Sequence, residues 1–131
     1  EVFVMMKIKN SDKEEMQRLC DFVRENVEKH DYEKCKEKIM RAMSEFPHAA
    51  EPHNLMGIVL EKEGNHVTAM RHFRAAWELD PAYLPTRENL EAFGAFPQNS
   101  RYVFDESDCK DVMKQGGEKD DGSYYDWNFT W

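Results

Sequence analysis

Residues 50–81 read AEPHNLMGIVLEKEGNHVTAMRHFRAAWELDP, and the fold is decided here. Two stretches of helical spacing flank Gly64-Asn65. Both residues tolerate φ > 0, so the pair suits a tight turn between two helices. Pro81 follows the second stretch, where a missing N–H and a fixed φ stop a helix. Gly57, Ala69 and Ala76 are small enough to let helices touch closely. Leu60, Phe73 and Leu79 are the residues expected to fill the volume between them.

The pattern has an earlier copy. Tyr32, Cys35, Ile39, Ala42, Phe46 and Pro47 stand 34 residues before His66, Ala69, Phe73, Ala76, Asp80 and Pro81. Cys35 takes the place of an alanine and Ile39 that of a phenylalanine. His30-Asp31 matches the turn. Phe22 and Val23 occupy the slots of Met56 and Gly57, so the close approach that glycine permits is relaxed in the first copy. A further helix follows, with Leu90 standing 34 residues after Met56. Five helices are expected, at about 12–29, 32–45, 50–63, 66–79 and 84–95, with Ser11 and Glu14 as a capping box for the first.

The slots His53-x2-Met56-Gly57-x2-Leu60, then Ala69-x3-Phe73, then Pro81 resemble the tetratricopeptide repeat, whose pattern is W-x2-L-G-x2-Y, A-x3-F and P with a period of ~34. His53 departs from the usual aromatic, while Gly64, Ala76, Leu79 and Asp80 also resemble the common form. The resemblance covers about residues 16–95, two repeats and a capping helix. It implies an all-α fold of antiparallel helical hairpins that complete their core by stacking. It also implies a concave groove lined by the first helix of each hairpin. By position, its residues here are Gln17, Cys20, Arg24, Asn54, Ile58, Glu61, Glu88 and Ala92. The implied function is a non-catalytic adaptor that holds a peptide or helix of a partner protein. The chaperone-binding subclass of the family clamps a terminal carboxylate with spaced cations and asparagines. Its slots here include Cys20, Arg24, Leu55, Pro85 and Asn89, and Arg24 with Asn89 alone does not reproduce that charge pattern. The run HFRAAWELDPAYLPTRENLEAFG, followed by FDESDC, is also similar to small bacterial repeat proteins. That similarity implies a bacterial, cytoplasmic chain and supplies no activity.

The remainder of the chain bounds the class. Its 131 residues suit one domain, with an extension at 1–10, the repeat domain at 11–96 and a tail at 97–131. The net charge of −8 repels phosphate backbones, so nucleic acid is not an expected partner. Half of that charge belongs to residues 97–131, with eight acids and four bases, so the tail is the more acidic part per residue. No apolar run approaches the ~20 residues of a membrane span, so no membrane insertion is expected. Residues 2–6 are too short for the core of a signal peptide. Cys20, Cys35 and Cys109 are sparse and odd in number, as in a reducing cytoplasm.

Both ends carry strand-like patterns. Residues 2–8, VFVMMKI, are compatible with a short strand. At the other end Tyr125, Trp127, Phe129 and Trp131 alternate with polar residues, as on a strand with one aromatic face. Between them, residues 96–121 read as a polar loop in which residues 101–104 form an extended piece docking on the last helix. An aromatic tail needs a surface to cover, and its own groove or a second copy would supply one. The alternative function is therefore a self-assembling structural protein, with the terminal segments as the homodimer contact.

No pattern demands chemistry. His30, His48, His53, His66 and His72 form no HExxH or dense ligand set, so no metal is expected. No phosphate-cradling loop or dinucleotide fingerprint occurs, so no cofactor is expected. Cys35 takes a core slot, and no CxxC accompanies Cys20. Helical charge runs such as residues 33–38 read as solvated faces. Met40, Met43, Met56 and Met70 read as core filler. The chain is read as a non-enzyme.

Overall fold

The computed structural model describes the backbone of residues 2–94 and 102–109, and side-chain surroundings from residue 11 onward within those ranges. Five α-helices run in order: α1 (Val2–Glu28), α2 (Tyr32–Glu45), α3 (Glu51–Lys62), α4 (His66–Leu79) and α5 (Leu84–Gly94). A single 3-10 turn follows at Glu106–Asp108. The protein is all-α across the described residues, and α2 to α5 lie where the hydrophobic spacing places them. Each helix packs on its neighbour in sequence, and α1 also reaches α3.

The connections repeat their geometry. The turn after α1 is closed by the N–H of His30 on the Val27 carbonyl (3.0 Å) and of Asp31 on Asn26 (2.9 Å). The turn after α3 is closed by Gly64 on Glu61 (3.0 Å) and Asn65 on Leu60 (2.8 Å), each 34 residues later. His30 and Gly64 both adopt positive φ, 61° and 88°. At the far ends, Phe46 donates to Ala42 and Asp80 to Ala76, which satisfies one of the last carbonyls of α2 and of α4.

One apolar core joins all five helices. It contains Leu19 and Val23 of α1, Cys35 and Ile39 of α2, Leu55 and Val59 of α3, Ala69 and Phe73 of α4, and Leu90 and Phe93 of α5. Gly57 lies against the Phe73 ring so closely that an added Cβ would sit 2.5 Å from a ring carbon. Ala69 and Ala76 are fully buried, as two helices in contact require. A smaller cluster of Ala50, Ala76 and Tyr83 closes the bottom of α3–α4.

Four expectations are corrected. Residues 2–8 belong to α1 and not to a strand. An unpaired strand leaves its N–H and C=O groups without partners, whereas a helix satisfies them internally, and residues 9–12 contain no glycine or proline to interrupt it. The motif Ser11 to Glu14 therefore lies inside α1 and caps nothing. Met40 is 55% exposed and turned outward, so it is not core filler. Leu79, in the last turn of α4, is on the surface and leaves the interior to Phe73. The aromatic residues Tyr125, Trp127, Phe129 and Trp131 lie outside the described residues. Among the described residues, no helix is long and apolar enough to cross a membrane.

Candidate functional site

The site is built on α1, α3 and α5. Three helices present polar side chains toward the same place: Gln17, Cys20 and Arg24 from α1, Asn54 from α3 and Asn89 from α5. Residues 102–109 lie across them.

The centre is an amide clamp. Asn54 and Asn89 are both fully buried inside helices. Asn89 receives the Val103 N–H on Oδ1 (2.9 Å) and donates from Nδ2 to the Val103 carbonyl (2.8 Å). Asn54 donates to the same carbonyl (3.1 Å), and its Oδ1 accepts from Asn89 (2.8 Å). Only one orientation of the Asn89 amide meets both demands, since its oxygen must face the N–H. The Val103 backbone is thus paired as it would be beside a neighbouring strand. Its side chain is 1% exposed. These bonds read main chain and say little about sequence.

Sequence is read on either side. Tyr102 packs on Phe93 (ring centroids 5.0 Å apart) and lies under the Lys62 ammonium (4.3 Å). Phe104 lies under the Arg24 guanidinium (5.2 Å), and its carbonyl accepts a long contact from the Cys20 thiol (3.7 Å). Arg24 also donates to Asp105 (3.1 Å) and Asp108 (2.7 Å), while Gln17 donates to Asp105 (3.0 Å). Asp108 in turn accepts the Phe104 N–H (3.1 Å), and Asp105 accepts the N–H and hydroxyl of Ser107. The segment crosses from α5 and α3 at Tyr102 to α1 at Asp105.

Electrostatics follow from this geometry. Burial raises Asp105, but the bonds from Ser107 and Gln17 and the Arg24 charge outweigh it, so its carboxyl is held below the usual range. For Arg24 burial works against the charge, and the two carboxylates outweigh it. Burial, with the nearby charge of Asp105, pushes the Cys20 thiol up to about 12. It is therefore protonated near neutral pH and a poor nucleophile. A cleft of 480 Å³ runs along the α1 side of the segment, lined by Gln17, Cys20, Glu51, Tyr83, Asp105 and Glu106 among others. Burial raises Glu51 there as well. Among the described residues no group of three or more His, Cys, Asp or Glu is placed to hold a metal.

Of the eight residues assigned to the groove by position, Gln17, Cys20, Arg24 and Asn54 meet on residues 102–109. Ile58 and Ala92 are buried within the apolar core instead. Glu61 is turned to His66, and Glu88 is half-buried on α5. Sequence spacing offers Asn89 only as a slot of the chaperone-binding subclass. The expected docking of residues 101–104 on the last helix is seen in Tyr102 on Phe93 and Val103 on Asn89, while the contacts of Asp105 and Asp108 with Arg24 of α1 carry no sequence signal. One signal was present for the clamp: Asn54 and Asn89 each stand in a helix interior beside apolar neighbours. Asparagine is unfavourable there unless its side chain has a partner.

No protein-family model, curated protein or solved structure matches the chain. Any functional reading therefore rests on the residues and their geometry.

Proposed function

We propose that this chain is a tetratricopeptide-repeat interaction module, and that the α1–α3–α5 face is a groove for an extended segment of a partner protein. The observation that carries the reading is the Asn54–Asn89 clamp on Val103. Two buried amides in neighbouring helices are satisfied by a peptide main chain lying across them. Burying such groups without partners is unfavourable by roughly 1–3 kcal/mol each. A surface that keeps them is suited to a main-chain ligand. The 34-residue recurrence of turns and small buried residues supports the family reading. Four of the residues that contact the segment, Gln17, Cys20, Arg24 and Asn54, are ones that the resemblance implies for the groove.

The test is capture of partners from the native organism by the full chain and by Arg24→Glu. Arg24 is 33% exposed at its side chain and carries the cationic side of the groove. The variant should lose a captured partner, by about tenfold or more in recovery, while its helical circular dichroism is unchanged. Equal recovery by both chains would remove this face from partner binding.

A further inference from the structure

Resting on the groove reading, we propose that residues 102–109 are an internal competitor. They occupy the groove that a partner enters, and the partner's segment carries the same pattern: an aliphatic residue, an aromatic residue, and carboxylates one and four places after the aromatic. Val103, Phe104, Asp105 and Asp108 are that pattern in this chain.

Three observations carry the proposal. The first is the way the segment is held. Val103 is clamped through its main chain by Asn89 and Asn54, and any residue in extended conformation offers the same N–H and C=O. Nothing at this point requires that the strand come from the same chain.

The second is charge. Arg24 gathers two carboxylates, Asp105 and Asp108, and stacks on Phe104. The Gln17 amide adds a second donor to Asp105. The net charge of the chain is −8, so an acidic ligand is repelled at long range. A carboxylate-bearing segment is therefore selected by this local contact against the overall field.

The third is what an empty groove would leave behind. Without an occupant, Asn54 and Asn89 keep only their bond to each other, and the rest of their polar capacity faces an apolar surround. The occupant is thus exchanged rather than simply released. A competing peptide must replace the Val103 bonds before or as the segment leaves. That requirement favours an extended ligand over a helix, whose N–H and C=O groups are already used internally.

The tether strengthens the internal occupant. Only residues 95–101 separate Gly94 of α5 from Tyr102, and a short linker gives an effective concentration on the order of millimolar. A free peptide of equal intrinsic affinity then binds the intact chain far more weakly than it binds a chain whose segment is disabled.

The probe is a fluorescein-labelled peptide of residues 101–108, RYVFDESD, titrated by anisotropy into the full chain. The full-length variant carrying Asp105→Asn and Asp108→Asn keeps the segment but removes its two charges from Arg24. It should bind the peptide at least tenfold more tightly than the unaltered chain. Adding Asn89→Ala to that variant should remove the gain. Equal binding by the unaltered chain and the double variant, with equal helical circular dichroism, would overturn the proposal. A second measurement needs no variant. In the isotope-labelled full chain, excess unlabelled peptide should shift the Val103 amide signal as its own segment is displaced, and an unmoved signal at saturating peptide would also overturn it. If both fail while capture still depends on Arg24, the groove reading stands and only the competitor is lost. Failure of the capture experiment removes the groove reading itself.

Discussion

In the second helix pair, α4 sends Phe73 against the bare backbone of Gly57 in α3, with no room for a Cβ. The positions 34 residues earlier hold Ile39 and Val23, both fully buried. One pair combines a large side chain with none; the other combines two of middling size. The two pairs hold the same number of side-chain carbon atoms while their division between the helices changes, so a bulky residue on one helix is matched by none on the other. The comparison extends to the small slots. Ala76 is fully buried, whereas Ala42 retains 8% exposure, so the first pair is the looser of the two.

The strongest way to break this comparison is Gly57→Val. The new side chain collides with the Phe73 ring, and overpacking of this kind destabilises by about 3 kcal/mol at the upper end of its usual range. Adding Phe73→Ile copies the division used by Val23 and Ile39 and should recover most of the loss. Urea unfolding of the two single variants and the double variant measures the coupling. A double variant no more stable than Gly57→Val would show that the two pairs do not share a packing scheme.

A smaller effect distinguishes the alanines. Ala76→Leu should destabilise by roughly 1–3 kcal/mol, and Ala42→Leu by less, because Ala42 borders solvent. Thermal melts of both variants check the order. Equal losses would mean that α2 packs as tightly as α4.

The third difference is a pH response confined to the second pair. His53 of α3 and His72 of α4 stack at 5.3 Å with their Nδ1 atoms 3.1 Å apart. The positions 34 residues earlier are Leu19 and Lys38. Burial lowers His53, and burial with the neighbouring His53 lowers His72. Unfolded histidines take up protons below ~6.5, while the folded pair resists them. Stability should therefore fall as pH drops from 7 through the unfolded value toward the lower folded ones. His72→Leu should flatten that slope in unfolding curves measured between pH 7 and 5. Asp105 acts in a lower window. Its depressed carboxyl stabilises the docked segment above ~3.9, and this is lost as pH falls through the still lower folded value.

The smallest expected effect concerns the turns. Gly64 has φ 88° with open space around it, so Gly64→Ala should destabilise by about 1 kcal/mol through backbone conformation alone. His30 adopts φ 61° and stacks on Tyr32 (ring centroids 5.7 Å apart). His30→Gly should stabilise by no more than about 0.5 kcal/mol, because lost stacking and a freer unfolded chain oppose the relief. Thermal melts of both variants would show whether the two turns carry comparable strain.

Local signals located much of this architecture. Gly64-Asn65, Pro47 and Pro81 mark the ends of helices, and the spacing of Cys35, Ile39 and Ala42 marks a buried face. Such signals act within a turn or two of the chain, so they are legible in order. Residues 2–8 show where this reading is ambiguous: a short apolar run serves a strand or a helix equally, and no local residue decides between them. The polar face was partly legible: the family resemblance implies Gln17, Cys20, Arg24 and Asn54, and these four meet on residues 103–105. The resemblance misplaced Ile58 because a residue one helical step from a polar face can as readily point into the core.

The occupant of that face is a different matter. Arg24 meets Asp105 and Asp108 across 81 and 84 positions, Gln17 meets Asp105 across 88, and Asn54 meets Val103 across 49. No periodicity records such pairs, because the polar loop that carries Val103 has no repeating stripe of its own. The sequence by itself determined α2 to α5 and the turns between the helices, through side-chain spacing and turn residues that act on their nearest neighbours. The expected docking of residues 101–104 on the last helix was legible too, but only the tertiary structure decided that residues 102–109 also lie on α1 and α3. That choice depends on three helices first packing together, so that two buried amides and one guanidinium converge on a single strand of main chain.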